Sequence, residues 1–295
     1  MLLNKIIIGT AQNNIKYGIV REKSTYKLHN ILNQCHELGI SYIDTSNHYS
    51  NAHQLISTYK NLDNFNIITK LSLKNFNFEN LENNSIDLEF EEIFKTLNHT
   101  KIYCLMIHDT SILRSKFSKY IMQVFKELKQ KKKIKKIGLS IYGPNDLNEF
   151  YDYDFDIIQG PFSVFDQRLK KTGWLKKINN DNKQFHARSI FLQGLLLQNS
   201  LDNLPVKFHV WKKIWLKWIT WHNKNNLNPL QSCLSFVFGE KLVSNVVIGI
   251  DNGFQLSKIF DCIEKELIDE NLLKELEKIN INDEKLINPK NWKFI

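Results

Sequence analysis

Four side chains that could support proton transfer stand at or near the ends of three short apolar segments. The segments are ISYIDTSNHYS, IITKL and CLMIHD, and the side chains are Asp44, Tyr49, Lys70 and His108. Each has an ordinary alternative role. Asp44 could cap a helix and Lys70 could extend its amine to solvent, while Tyr49 and His108 could pack in a core. If the segments are neighbouring strands, the four groups would instead share one site.

This combination of groups is suited to the reduction of a carbonyl group. Hydride addition builds negative charge on the carbonyl oxygen, and a proton must be delivered as that charge grows. We predict Tyr49 as the acid, with Lys70 lowering the pKa of its phenol and Asp44 holding the Lys70 ammonium in place. A neutral His108 would hydrogen-bond the carbonyl oxygen.

Short β-branched apolar segments alternate along the chain with longer amphipathic segments. The short segments predict eight strands, which are Lys5–Thr10, Ser41–Thr45, Asn66–Leu71, Ile102–His108, Lys135–Ser140, Asp156–Phe162, Gln184–Ile190 and Asn245–Ile250. The longer segments predict crossover helices, which include Thr25–Leu38, Phe90–Leu97, Ser115–Lys131, Lys207–Asn223 and Gly253–Glu266. Regular alternation of this kind is typical of a parallel sheet.

The number of repeats favours one closed α/β fold. Eight strand-helix repeats without a Gly/Pro/Ser-rich linker predict a single-domain (β/α)8 TIM barrel over residues 1–295, with a C-terminal helix and tail from about residue 268. A doubly wound open sheet is the alternative. The phosphate-binding signatures GxGxxG and GxxxxGK[ST], which are common in open sheets, are absent.

Composition limits the classes of partner. The formal net charge is +9, but lysine is frequent throughout the chain, so the charge does not mark a nucleic-acid or membrane surface. The run Lys129–Lys136 predicts a solvated turn, with nucleic-acid binding as the weaker reading. The helix containing Trp211, Trp215 and Trp218 predicts core packing, with a membrane-surface helix as the weaker reading. We expect no nucleic-acid partner and no membrane partner.

The cysteines and histidines do not predict a metal site. The four cysteines have neither a CxxC pair nor a nearby histidine cluster, and they are Cys35, Cys104, Cys233 and Cys262. His108, Asp109 and His186 are too scattered to favour a metal-dependent barrel hydrolase. No signal peptide and no apolar run of about 18 residues occurs, which predicts a cytoplasmic protein with reduced thiols.

Motifs spread over almost the whole chain resemble those of the aldo-keto reductase family. In order, they are IIIGTAQNNIKYGIV, GISYIDTSNHYSNA, ITKL, LMIHD, KKIGLS, IIQGPFSVFDQRL, HARSIFLQGLL and VVIGIDNGFQL. The resemblance implies an eight-stranded α/β barrel that binds NADPH or NADH without a Rossmann motif. It also implies a catalytic tetrad at the matching positions, which are Asp44, Tyr49, Lys70 and His108.

The resemblance also implies where the cofactor binds. Ser140 and Gln159 would contact the nicotinamide carboxamide, and the loop from Ser189 to Gly194 would lie along the diphosphate. The residues implied at the adenosine end are Gly249, Asn252 and Gln255. Peptide N–H groups after the last strand, near a helix N-terminus, would donate to the anionic cofactor.

Several positions depart from the common family pattern. Ile141 replaces an asparagine that contacts the carboxamide, and Arg188 replaces a tyrosine that stacks on the nicotinamide, a role that a guanidinium plane can also fill. Ser50 and His53 replace a glycine and a glutamate after Tyr49. Gln255 replaces an arginine of many NADP-preferring members, although Lys258 lies one turn further on, so the dinucleotide preference stays open.

The leading hypothesis is therefore an NAD(P)H-dependent reductase of a small-molecule aldehyde, ketone or sugar-type carbonyl. A sugar-derived substrate is suggested by the resemblance of some motifs to bacterial members encoded among surface-polysaccharide genes. The alternative is a dinucleotide-binding sensor or scaffold with little turnover, motivated by Ile141, Ser50 and His53. The oligomeric state stays open.

Overall fold

The eight predicted strands form one closed parallel barrel. The computed structural model describes residues 2–12, 28–73, 82–98, 102–265 and 267–294. The strands, in chain order, are β1 (Ile6–Gly9), β2 (Tyr42–Asp44), β3 (Asn66–Leu71), β4 (Ile102–Ile107), β5 (Ile134–Ser140), β6 (Ile157–Pro161), β7 (Gln184–Arg188) and β8 (Asn245–Gly249). Each strand pairs with the next, and β8 pairs with β1, which confirms the (β/α)8 barrel and excludes the open sheet.

Helices connect the strands and surround the barrel. They are α1 (Leu28–Glu37), α2 (Ala52–Ser57), α3 (Asn83–Leu97), α4 (Ser111–Arg114), α5 (Ser118–Gln130), α6 (Pro144–Phe150), α7 (Arg168–Lys171), α8 (Trp174–Asn180), α9 (Lys212–Asn225), α10 (Pro229–Gly239), α11 (Gly253–Lys265), α12 (Glu270–Glu277) and α13 (Glu284–Ile287). Short 3-10 helices cover Leu2–Lys5, Leu62–Asn64, Leu195–Leu197, Val206–Trp211 and Pro289–Phe294. Residues 25–27 of the first predicted helix, and most of the motif after β1, lie outside the described residues.

Two apolar clusters stabilise the barrel from opposite faces of the sheet. The smaller cluster contains Ile7, Ile68, Cys104, Met106 and Ile157, whereas the neighbouring residues on the same strands belong to the larger cluster beneath the helices. Because successive strand residues point to opposite faces, the smaller cluster fills the barrel interior. The interior is thus a packed core that closes the barrel below its C-terminal end.

The tryptophan-rich helix packs on the core, as its spacing predicted. Trp215 and Trp218 of α9 are fully buried, and their rings lie 5.2 and 5.5 Å from the ring of Phe165. Within the described residues, no helix is long and apolar enough to cross a membrane. The basic run connects α5 to β5. Lys129, in α5, and Lys136, in β5, approach the Asp156 carboxylate at 2.7 and 3.7 Å.

Helix α10 was missed by the sequence analysis. Eight of its eleven residues are buried, including the polar Ser232 and Ser235. A helix that is buried on nearly all sides has no polar stripe, so its sequence lacks the 3.6-residue alternation that marks an amphipathic helix. The N-terminal signal was present, because Asn228 caps the helix by accepting a hydrogen bond from the Gln231 peptide N–H.

Two buried histidines should make the fold sensitive to acid. Burial, together with the charge of Lys70, lowers the pKa of His53 to about 4 and that of His186 to about 3. The unfolded chain therefore binds more protons between pH of about 6.5 and these values, and stability falls as the pH falls through that range. Between pH 7 and 4, each histidine should account for about 3 kcal/mol of the lost stability, and we expect His53→Gln and His186→Gln each to remove its share.

Urea unfolding at a series of pH values measures this effect. The comparison is between each variant and the wild type at the same pH, because carboxylates elsewhere contribute to both slopes equally. Parallel stability curves for the wild type and the His186→Gln variant would contradict the expectation.

Candidate active site

A buried ion pair lies at the centre of the C-terminal end of the barrel. Asp44 ends β2, and Lys70 is two residues beyond the interior residue Ile68 on β3, so both side chains point into the barrel mouth. The Lys70 Nζ lies 2.5 Å from the Asp44 Oδ1 and also donates to the Thr45 carbonyl oxygen at 3.1 Å. Lys70 and Asp44 are almost fully buried, which fixes the ammonium in one position.

Gln159 donates a hydrogen bond to the second oxygen of the Asp44 carboxylate. It stands two residues beyond the interior residue Ile157 on β6, and its Nε2 donates to the Asp44 Oδ2 at 2.7 Å. Both oxygens of Asp44 are thus engaged by donors from different strands. Burial lowers the pKa of Lys70 and the Asp44 charge opposes that effect, so the carboxylate is what keeps this buried amine protonated.

Tyr49 and His108 lie beside the ion pair. The Lys70 Nζ is 5.3 Å from the centre of the Tyr49 ring, and the Tyr49 and His108 ring centres are 5.8 Å apart in an edge-to-face arrangement. The four side chains singled out in the sequence therefore come together, although they derive from three strand ends. A carbonyl oxygen placed between the phenol and the imidazole would face a proton donor and a second polar group.

The pKa of Tyr49 moves in the direction opposite to our expectation. Removal of the phenol from water raises its pKa, the Asp44 charge raises it further, and Arg188 lowers it. Lys70 does not produce the expected lowering because its charge is matched by Asp44 at 2.5 Å. The phenol is consequently held in its protonated form, the form required of an acid.

Ser46 orients His108 and was missed by the sequence analysis. The Ser46 Oγ lies 3.0 Å from the His108 Nδ1, and both residues are buried. This contact fixes the plane of the imidazole ring. The only sequence signal was position, since Ser46 follows Asp44 by two residues at the same strand end.

A cavity of about 1050 Å³ opens from these four groups and extends towards α11. Its size is at the upper end for small-molecule and cofactor sites. All of the predicted site residues except Asn252 line it, and these are Asp44, Tyr49, Lys70, His108, Ser140, Gln159, Arg188, Ser189, Gly194, Gly249 and Gln255. Tyr142, Lys258 and Lys290 also line it and were not among the predicted site residues.

In the turn after β8, side chains accept hydrogen bonds from two of the turn's own peptide N–H groups. Asn252 caps α11 by accepting from the Gln255 peptide N–H at 2.9 Å, and the Gln255 Oε1 accepts from the Asp251 N–H at 2.9 Å. These two N–H groups are therefore engaged inside the turn, which differs from the expectation that they donate to a ligand. Lys258, whose Nζ lies 4.4 Å from the centre of the Phe254 ring, supplies a cation at this end of the cavity.

The loop after β7 has an unusual backbone where it lines the cavity. Ser189, Leu192 and Gln193 have φ angles of 59°, 48° and 53°, in the left-handed region that side chains disfavour, and Gly194 has 87°. Such strain concentrates at functional loops and costs of order 1–3 kcal/mol per residue. The loop is held in this shape by the packing around it, with Leu192 and Leu195 buried.

Comparison with known proteins decides the family. A sequence model of the aldo/keto reductase family matches residues 5–281. The chain belongs to the aldo/keto reductase family. Two solved structures have the same fold: a thermostable aldo-keto reductase crystallised with the inhibitor epalrestat, and a Pseudomonas aeruginosa protein assigned as an aldo-keto reductase.

The first structure aligns with a TM-score of 0.66 at 16% identity, covering 93% of this chain and 94% of the other. The second aligns with a TM-score of 0.61 at 15% identity, covering 88% and 89%. No curated protein matches this chain. Family membership makes the protein an NAD(P)H-dependent oxidoreductase of the carbonyl-reducing type.

Two departures from the aldo/keto reductase pattern have structural explanations. His53 is buried behind Lys70, and its Nε2 contacts the Thr69 Oγ1 at 2.9 Å, so it forms a polar contact inside the fold. Ile141 is fully buried, and a Cβ added at Gly160 would lie 2.8 Å from its Cγ1. The Ile141 side chain therefore packs away from the cavity and is not placed to contact a carboxamide.

The third departure, Ser50, is conformational. Its φ of 41° is in the region that favours glycine, the usual residue of aldo/keto reductases here. We expect Ser50→Gly to stabilise the fold by about 0.5 kcal/mol, since relief of the left-handed strain exceeds the entropy lost by glycine. Urea unfolding tests this. The matched variant Ser57→Gly, within α2, should destabilise by a similar amount, and destabilisation by both would contradict the explanation.

Proposed function

We propose that this aldo/keto reductase uses NADPH or NADH to reduce an aldehyde, ketone or sugar-type carbonyl, with Tyr49 as the general acid. The observation that carries the proposal is the Asp44–Lys70 pair, tied by Gln159, beneath Tyr49 and His108 on the floor of a large cavity. Four polar groups gathered from three strand ends in this way are costly to bury unless they serve a function.

The residues of the cavity fit a nicotinamide dinucleotide. Ser140 and Gln159 offer a hydroxyl and an amide beside the reacting groups, where a neutral carboxamide would bind, and Lys258 offers a cation at the far end, where phosphate groups are anionic. Arg188, Ser189 and Gly194 line the path between the two ends, and Gly249 and Gln255 line the far end. The bound dinucleotide would supply the hydride.

The chain's own residues would handle the proton and the developing charge. Tyr49 donates its hydroxyl proton to the carbonyl oxygen, and the Lys70 ammonium lies against the phenol ring, with its Nζ 5.3 Å from the ring centre. Asp44 holds the ammonium in place, and Gln159 holds Asp44. His108, oriented by Ser46 through Nδ1, directs its opposite ring edge to the same oxygen and limits its position.

The substrate and the cellular setting belong to the proposal as well. A sugar-derived carbonyl is compatible with the polar side chains Asn199 and Asn228 in the cavity lining. A cytoplasmic location is supported by the four cysteines, which are all buried and form no disulfide. Within the described residues, no cluster of side chains could hold a metal ion.

The alternative function is a dinucleotide sensor with little turnover. Burial of Ile141 away from the carboxamide site favours it, because one family contact to the cofactor is absent. The intact Asp44–Lys70–Tyr49–His108 arrangement opposes it, since a protein that only binds dinucleotide gains nothing from a buried lysine beside a phenol.

The test combines binding with single-turnover kinetics. Purified protein is titrated with NADPH and with NADH by fluorescence, and oxidation of each bound dinucleotide is then followed by stopped flow with a panel of aldehydes, ketones and open-chain sugars. Binding with oxidation supports the reductase. Binding without oxidation by any carbonyl supports the sensor, and absence of dinucleotide binding contradicts both functions.

A further inference from the structure

One wall of the cavity carries two further cations, Arg188 and Lys290, that take no part in the proton transfer proposed above. Arg188 comes from the end of β7, and Lys290 comes from the 3-10 helix Pro289–Phe294. Both line the cavity that contains Tyr49 and His108. They meet at one aromatic ring, since the Arg188 Cζ lies 4.8 Å and the Lys290 Nζ lies 3.4 Å from the centre of the Tyr142 ring.

Arg188 has neutral partners in the described part of the chain. Its Nη2 donates to the Ile141 carbonyl oxygen at 2.7 Å and its Nη1 to the Ser189 Oγ at 3.2 Å. A guanidinium has five N–H donors in a planar fork, so donors remain for a ligand. These two hydrogen bonds and the Tyr142 ring hold the Arg188 side chain in place, which lowers the entropic cost of binding a ligand.

The carboxylates that line the cavity already have ion-pair or hydrogen-bond partners. Asp44 is bound by Lys70 and Gln159, Asp261 pairs with Lys265 at 2.9 Å, and Asp251, on the turn after β8, accepts from the Gln255 Nε2 at 3.3 Å. Lys290 approaches Asp109 at 3.6 Å, where both side chains reach solvent. Among the described residues, Lys70 and Lys290 thus each have a carboxylate partner, and Arg188 is the cation of this wall without one.

We propose that the carbonyl substrate carries an anionic oxygen group, a carboxylate or a phosphate, that binds to Arg188 and Lys290 at the Tyr142 ring. This inference rests on the proposed reduction, since it assigns the substrate class of the same site. A guanidinium fork matches the oxygens of either group, and the ammonium adds charge without a geometric requirement. The Tyr142 ring offsets part of the repulsion between the two cations before the anion binds.

The position of the wall relative to Tyr49 supports the assignment. The charge of Arg188 lowers the pKa of Tyr49 and that of Lys70, which places the guanidinium within electrostatic range of both groups. An anion on Arg188 would therefore share one cavity with a carbonyl group that reaches Tyr49. Binding of the anionic group at Arg188 would hold the substrate carbonyl next to the Tyr49 hydroxyl.

The first experiment compares matched charged and neutral aldehydes. The pairs are 4-oxobutanoate with its methyl ester, glyceraldehyde 3-phosphate with glyceraldehyde, and glucuronate with glucose. We expect kcat/KM to favour the charged member by about 10-fold or more in at least one pair, as a charge-assisted hydrogen bond allows. Which pair shows the preference distinguishes a carboxylate from a phosphate.

Variants of Arg188 and Lys290 then test whether these residues cause the preference for a charged aldehyde. Arg188→Gln should lower kcat/KM for the charged aldehyde by about 10- to 100-fold more than for the neutral aldehyde, whose own change reports any effect on the dinucleotide. Lys290→Gln should act in the same direction but more weakly, because the lysine is exposed. Lys274→Gln, on exposed α12 and away from the cavity, is the matched control and should change neither.

A binding measurement keeps this inference separate from the reduction itself. Calorimetric titration with succinate and with inorganic phosphate, at constant ionic strength, should show binding to the wild type that weakens about 10-fold in Arg188→Gln. If dinucleotide binds but no aldehyde is reduced, the proposed reduction fails while the calorimetric result still decides the anion site. Two results would overturn the inference. One is that Arg188→Gln weakens dinucleotide binding as much as anion binding, and the other is that no variant changes kcat/KM for charged aldehydes more than for neutral ones.

Discussion

Replacement of Tyr49 by phenylalanine should lower the rate of carbonyl reduction by about 100- to 10,000-fold, the range expected when a positioned general acid is lost. The substitution removes one oxygen atom and keeps the ring that packs edge-to-face on His108 at 5.8 Å. Dinucleotide affinity and folding stability should therefore stay close to those of the wild type. Single-turnover oxidation of the bound dinucleotide measures the chemical step directly.

Tyr120→Phe is the matched control for this result. The Tyr120 hydroxyl donates to Asp87 at 2.6 Å on the outer helices, so its loss removes a hydrogen bond without touching the cavity. The control should reduce carbonyls at the wild-type rate. A rate for Tyr49→Phe within about 3-fold of the wild type would show that another group delivers the proton.

Replacement of Asp44 by alanine should destabilise the fold by about 3–5 kcal/mol, because it leaves the Lys70 ammonium buried without its counterion. The Thr45 carbonyl oxygen, at 3.1 Å, is too weak an acceptor to compensate for a lost carboxylate. The folded-state pKa of Lys70, already lowered by burial, should fall further below that of the unfolded chain. The destabilisation should consequently shrink as the pH rises towards about 10.

The double variant Asp44→Ala/Lys70→Met distinguishes charge burial from general damage. Removing the ammonium as well should restore at least about 2 kcal/mol of the lost stability, since no unpaired charge is then buried. Urea unfolding of the wild type, both single variants and the double variant gives the coupling energy. A double variant less stable than Asp44→Ala would contradict the charge-burial explanation.

Much of the barrel could be predicted because its strands carry the strongest sequence signals. All eight strand predictions lie within two residues of the observed bounds. The helix bounds were predicted less well than the strand bounds. Helix α3 begins at Asn83, seven residues before its predicted start at Phe90, because its first turns are mostly polar. Helix α10 escaped because burial on nearly all sides removes the periodic pattern.

The sequence allowed the site residues to be predicted because residue types that can transfer protons stand at the ends of the predicted strands. Asp44, Lys70 and Gln159 each follow an interior residue by two positions, a relation that the sequence contains once the strands are placed. The sequence analysis missed three residues, Ser46, Tyr142 and Lys290. Each acts through a partner from a distant segment of the chain: Ser46 contacts His108, and Lys290 contacts the Tyr142 ring. Their residue types are common on protein surfaces, so only the assembled structure shows what they contact.

The protonated state of Tyr49 also bears on the direction in which the enzyme works. Oxidation of an alcohol requires a base to accept the hydroxyl proton, and Tyr49 could accept it only as a phenolate. The raised pKa of Tyr49 makes the phenolate scarce near neutral pH. If Tyr49 is the group that exchanges the proton, as proposed, the pocket that keeps it protonated should make the enzyme a poor alcohol dehydrogenase, and alcohol oxidation should become faster only at alkaline pH.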